Sequence, residues 1–184
     1  MRLGAPTLAG LLLALVLSCS GALAEPPSHP FGSSHVPFPR GTLRLSGSVD
    51  QLDRAVTDFY DEWKARYVIS GCGDGELRIR ADAGENGAAT TVSEGQGYGM
   101  VIVALLAGHD PNAQAIFDGL FRYARRHPSA FDRRLMAWAQ NRHCQDIQGR
   151  DSATDGDLDI AYGLLLADLQ WGSGGAIDYR REAE

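Results

Sequence analysis

Cysteine is scarce in this 184-residue chain: Cys19, Cys72 and Cys144 are the only three. They form no CxxC pair, and no Cys/His spacing suits zinc, which removes a zinc module or a thiol redox motif. An excess of basic charge is also missing. Lys and Arg total 17 against 23 Asp and Glu, a formal charge of −6, so the basic face that nucleic acid demands is absent. Gly95-Gln96-Gly97 lacks both a Walker lysine and a preceding buried strand, and is not a phosphate loop. The apolar run Leu8 to Leu17 is about ten residues, too short to span a bilayer. What remains is 44% hydrophobic and 22% charged, the composition of a globular chain and not a disordered or collagen-like one.

The N-terminus reads as a secretory signal. Arg2 is its charged region, Leu8 to Leu17 its apolar core and Ala22-Leu23-Ala24 a small-x-small cleavage site. The expected mature chain starts at Glu25 and is exported. A lipoprotein anchor at Cys19 competes with this reading, but Val16-Leu17-Ser18 before it is a poor match. With Cys19 lost, Cys72 and Cys144 are expected to form a disulfide in an oxidising compartment, against the alternative of two free thiols. Residues 25–45 hold Pro26, Pro27, Pro30, Pro37 and Pro39 and read as a linker or extended arm.

From residue 46 the period becomes helical. Val49, Leu52, Val56, Phe59, Trp63 and Tyr67 step by three and four, with Ser48 and Gln51 as a capping box. Leu77, Ile79 and Ala81 alternate with charges as a short strand. Ser93 with Gln96 repeats the capping-box pattern before Met100 to Ala107, which is almost wholly apolar and must be buried on all sides. Asp110-Pro111 is expected to open an amphipathic helix over 111–126. Thr154-Asp155-Gly156 opens another apolar helix ending near Trp171, and Ala176 to Glu184 begins a further one.

An internal echo links two of these helices. At an offset of 61, Ser93, Glu94 and Gly95 fall on Thr154, Asp155 and Gly156, and apolar positions follow in step. Buried, amphipathic and again buried helices are the order that concentric rings produce. The alternative is two ordinary capped core helices. In a ring, the inner helices run parallel and their N-termini meet. Glu94 and Asp155, each at a first helical position, would then line one mouth. Two acids facing a cleft are the minimal equipment for glycoside hydrolysis. The helix dipole favours their ionised forms, whereas a general acid needs a raised pKa. Asp151, Asp157 and Asp159, or burial against Tyr98 or Trp138, could supply the opposing push. Asp155, Asp157 and Asp159 also mimic the start of a calcium loop, but the glycine is misplaced and Leu166 stands where the bidentate Glu is required. Trp138 and Tyr98 can stack on sugar or pack in the interior; Trp171 is expected in the core.

Thr91-Val92-Ser93-Glu94-Gly95-Gln96-Gly97-Tyr98-Gly99-Met100, Ser152-Ala153-Thr154-Asp155-Gly156-Asp157-Leu158-Asp159-Ile160-Ala161-Tyr162, Leu135-Met136-Ala137-Trp138 and Gln170-Trp171-Gly172 together resemble glycoside hydrolase family 8. The match runs over roughly residues 55 to 184. Gly163 departs from it, where the family carries Ala or Ser. The resemblance implies an all-α chain, the N-terminal half of an (α/α)6 barrel. It implies an inverting endo-hydrolase of β-1,4-linked polysaccharide, with cellulose or β-glucan foremost, without cofactor or metal. Carried across, Glu94 matches the general acid, Asp155 the acid where the sugar is distorted, and Trp138 a stacking position. The family's base lies beyond the second motif. Six hairpins of about 61 residues need about 360, so the chain is expected to be a truncated hydrolase or, alternatively, a non-catalytic carbohydrate-binding remnant. A calcium-dependent adhesion module is the remaining class.

Overall fold

The computed structural model describes residues 26–35 and 37–184; the expected signal segment and Cys19 lie outside them. Among the described residues five α-helices carry the fold: α1 (Val49–Tyr67), α2 (Ser93–Leu105), α3 (Ala113–Arg126), α4 (Thr154–Trp171) and α5 (Tyr179–Ala183). Two small antiparallel ladders fill the connections. β1 (Val68–Ser70) pairs β2 (Leu77–Ile79), with Val68 opposite Ile79. β3 (Thr91–Val92) pairs β4 (Ala139–Gln140), with Val92 opposite Ala139.

The capping box at Ser48 and Gln51 forms and starts α1. The face that α1 buries is rotated from the expected stripe. Tyr60 is buried, with Trp63 and Tyr67 packed beside it, while Phe59 is 70% exposed. The anchor is polar: the Tyr60 hydroxyl and the Lys64 ammonium both donate to Asp110 Oδ2 at 2.7 Å. A buried carboxylate must be paired, and satisfying Asp110 sets the helix rotation over the pull of two apolar side chains. Asp110 also explains where α3 starts. Its Oδ1 accepts from the Asn112 amide at 2.9 Å, so Pro111 sits in a side-chain-closed turn and the helix begins at Ala113, two residues later than expected.

Helices α2 and α4 are the centre. Glycines let them touch. A Cβ on Gly156 would lie 2.3 Å from Ser93 Oγ, one on Gly97 2.6 Å from Asp159 Cβ, and one on Gly163 3.0 Å from Met100 Cβ. These contacts advance together along both sequences, so the two helices run parallel, side by side. Their shared core of Met100, Val103, Ala104, Leu164 and Ala167 is fully buried, as are Phe117, Leu120 and Tyr123 of α3. Trp171 is buried against Phe117 and Tyr179.

Three ties close the frame. The expected capping box at Ser93 does not form: Val92 is the N-cap, in extended conformation. Gln96 is instead buried, accepting from the Ile79 amide and donating to the Leu77 and Leu120 carbonyls. An interior amide that can satisfy three backbone groups of β2 and α3 does more than a solvent-exposed cap. Cys72 and Cys144 are disulfide-bonded across 72 residues, a loop closure that contributes about 4 kcal/mol. At the C-terminal end of the pair, Gln170 donates to the His29 and Ala104 carbonyls, and Phe31 N donates to Ala107 O. These bonds lay the first described residues across α2 and α4.

Candidate active site at the paired helix N-termini

Parallel α2 and α4 bring their N-termini together. Glu94 is the second residue of α2 and Asp155 the second of α4, one position inside the expected first. A Cβ on Gly156 would fall 2.7 Å from Glu94 N, so the backbones carrying the two acids are in contact. The structure thus unites these two predicted residues at one end of the molecule.

The Trp138 backbone is bonded beside both helix starts. Its carbonyl accepts from the Ser93 amide at 2.9 Å and its amide donates to the Asp151 carbonyl at 2.8 Å. The segment Met136–Gln140 is therefore stitched to the entry of α2 on one side and to the approach to α4 on the other. Asp157 adds a clamp: its Oδ1 accepts from the Met136 amide at 2.9 Å. That makes Asp157 a structural acid, and burial pushes its carboxyl up. Trp138 itself is half-buried.

Tyr98 lies one turn after Glu94 on α2 and is half exposed. Its hydroxyl is pushed up, first by the hydrogen bond to Glu94 and the charge beside it, then by Asp159 and Asp155. Asp159 is pushed up by burial, then by Asp155 and Glu94. Glu94, Tyr98, Asp155 and Asp159 thus share one field. Asp159 was legible only as part of the Asp155-x-Asp157-x-Asp159 run. Its approach to α2 needs Gly97, where any side chain would collide with it. Among the described residues no group of three His, Cys, Asp or Glu side chains is arranged to hold a metal ion, and no helix is long and apolar enough to cross a membrane.

The charges of Asp155 and Glu94 add to burial in pushing the Asp159 carboxyl up, and like-charge clusters of this kind mark sites of proton chemistry. The helix N-termini stabilise negative charge at the mouth, while Asp159 and Asp155 oppose it.

Comparison with known proteins places this arrangement. The family described as "Glycosyl hydrolases family 8" matches residues 47–183. A "Beta-glucanase" of Niallia circulans is 45% identical over 173 residues, covering 90% of this chain and 41% of its own length. An "Endoglucanase" of Bacillus sp. (strain KSM-330) is 46% identical over 160 residues, 80% of this chain and 34% of the relative. Among solved structures, the "Beta-1,3-1,4-glucanase from Paenibacillus sp.X4" superposes with a TM-score of 0.72 at 42% identity, over 88% of this chain and 40% of that one. The chain thus spans about two fifths or less of each of these relatives.

Proposed function

Because the chain belongs to glycosyl hydrolase family 8, and its helices form part of that family's (α/α)6 barrel, we propose that it is the acid-bearing portion of an endo-acting hydrolase of β-1,4-linked glucan. The observation that carries this reading is the close approach of Gly156 to the Glu94 amide, which sets Glu94 and Asp155 at the adjacent, parallel N-termini of α2 and α4, with the Trp138 backbone bonded to Ser93 and Asp151. Glu94 donates the proton to the departing glycosidic oxygen. Asp155 holds the distorted sugar, and Tyr98, one turn after Glu94 on α2, borders the site. The mechanism is inverting: a water delivered from the opposite face of the ring attacks as the bond breaks. The base that activates this water comes from helices beyond the second acidic motif. The substrate reading is supported by the relatives, a beta-glucanase and an endoglucanase. Export through the N-terminal signal, with the polysaccharide met outside the cytoplasm, completes the proposal.

Turnover requires the other hairpins of the barrel. The flanks of α2 and α4 that do not face α3 carry Leu105, Leu158, Tyr162, Leu165 and Leu169, all substantially exposed. An apolar surface of this kind calls for a cover, and further hairpins of the ring are the cover proposed.

The test joins this chain to the remaining C-terminal portion of the Niallia circulans relative and measures reducing-sugar release from mixed-linkage glucan and carboxymethyl-cellulose. The expected result is hydrolysis that falls by about 10²–10⁴-fold in Glu94→Gln. Equal hydrolysis by the Glu94→Gln chimera would remove Glu94 from the chemistry.

A further inference from the structure

A second cleft, of about 640 Å³, lies beside the β1–β2 hairpin and the loop after β4, and is lined by Arg78, Arg80, Asn86, Thr90, Arg142 and His143 among others. Its charge runs against that of the chain, which is −6 in total. Arg78 is 6% exposed. Its guanidinium donates to the carbonyls of Ser70, Asn141 and Arg142 at 3.0–3.2 Å and lies over the Tyr123 ring. Three of its five N–H donors are so used, and among the described residues it makes no ion pair. A buried cation held only by neutral dipoles remains a net positive charge. Arg142 also has no carboxylate partner among the described residues; its Nε donates to the His143 ring at 2.9 Å. Arg80 meets Asp82 at 3.3 Å, but both are about half exposed, and such a surface pair neutralises little. The Cys72–Cys144 disulfide joins the β1–β2 turn to the same loop, two residues after Arg142, so the fork is mounted on a fixed frame.

We infer that this cleft is a binding site for a carboxylate-bearing sugar, a uronate unit or acidic substituent of a glycan chain. Guanidinium groups grip a carboxylate in two-pronged fashion, and Asn86 and Thr90 add the neutral polar groups that a sugar ring requires. The anionic part rests on the cleft alone. The sugar part rests on the hydrolase reading, because Thr90 lines the cleft and Glu94 follows it four residues later in the chain, after the β3 strand and at the start of α2. At about 3.3 Å per residue in strand, a polysaccharide seated at Glu94 is within reach of it.

The test titrates the isotope-labelled chain with sodium glucuronate, glucose and sodium sulfate, following the backbone amide of Thr90 and the side-chain Nε–H of Arg78 and Arg142 by NMR. Glucuronate is expected to give saturable shifts at these groups, weakened by added salt, while glucose at equal concentration gives none. Arg142→Ala is expected to weaken glucuronate binding about tenfold; Arg80→Ala, also at the surface, is a second variant that leaves the buried frame untouched. Sulfate competing with glucuronate supports a common oxyanion site. No saturable response to glucuronate, an equal response to glucose, or affinity unchanged in both variants overturns the assignment; saturation by sulfate without glucuronate overturns its sugar part. None of these readouts requires hydrolysis, so a chimera that shows no Glu94-dependent turnover would sink the hydrolase reading while leaving the anion site to stand or fall on its own.

Discussion

The two ends of the α2–α4 pair treat their acids in opposite ways. At the C-terminal end, Asp110 is buried, which would raise its pKa, but hydrogen bonds from Lys64 and Tyr60 outweigh burial and hold the carboxyl below its usual range. Asp168 nearby is lowered by Ser173 and then Arg180. At the N-terminal end, Asp159 is raised by burial, Asp155 and Glu94, with no cation among the causes. Acids that hold the fold together are paired with cations and donors. Acids proposed to act on substrate stand against one another, at a cost in stability that a chain built only to fold would avoid.

This contrast can be broken by mutation. Asp110→Ala should be the most damaging change, losing about 3 kcal/mol, because it leaves the buried Tyr60 hydroxyl without its acceptor and Lys64 with only Asp61 at 3.6 Å; urea denaturation reads it as a lower midpoint at constant slope. Gly156→Ala should follow at about 1–3 kcal/mol, since the new methyl meets Ser93 Oγ and the Glu94 amide. In the glucanase chimera the same change should cut turnover by displacing Glu94. Glu94→Gln and Asp155→Asn should leave the folding free energy within about 0.5 kcal/mol or raise it slightly by relieving repulsion. A loss as large as that of Asp110→Ala would mean that the mouth acids are structural.

The pH dependence should separate the ends by sign. For Asp110 and Asp168 the folded-state pKa is depressed, so their contribution is present above the ordinary carboxylate value and is lost as pH falls below it. For Asp157 and Asp159 it is raised. Between the ordinary value and the raised one the folded chain holds protons that the unfolded chain has released, so stability falls as pH rises through that window. Asp159→Asn should flatten this decline and leave the acid-side loss unchanged, as read by denaturation at stepped pH.

Much of this was legible in the sequence. The repeat of hydroxyl, acid and glycine at residues 93–95 and 154–156 announced two like helices, and the parallel packing that joins Glu94 to Asp155 follows once glycines let the helices touch. Helix rotation was less legible. The stripe through Val56 and Phe59 satisfied periodicity, but Asp110, 50 residues from Tyr60, decided which face turned inward. Ser93 and Gln96 fitted a local cap, yet Gln96 was claimed by Ile79, Leu77 and Leu120, partners that only the tertiary fold brings near. Asp157 and Asp159, two residues apart in one acidic run, diverge for the same reason: one clamps Met136 and the other is seated over Gly97.

The most direct measurement is the side-chain carboxyl titration of Asp159 by carbon NMR, in the parent chain and in Glu94→Gln and Asp155→Asn. If the acids of α2 and α4 share one hollow, the Asp159 midpoint starts above that of an ordinary aspartate and moves down in both variants. A midpoint indifferent to both replacements would place Glu94 and Asp155 outside its field, and the common site would be lost.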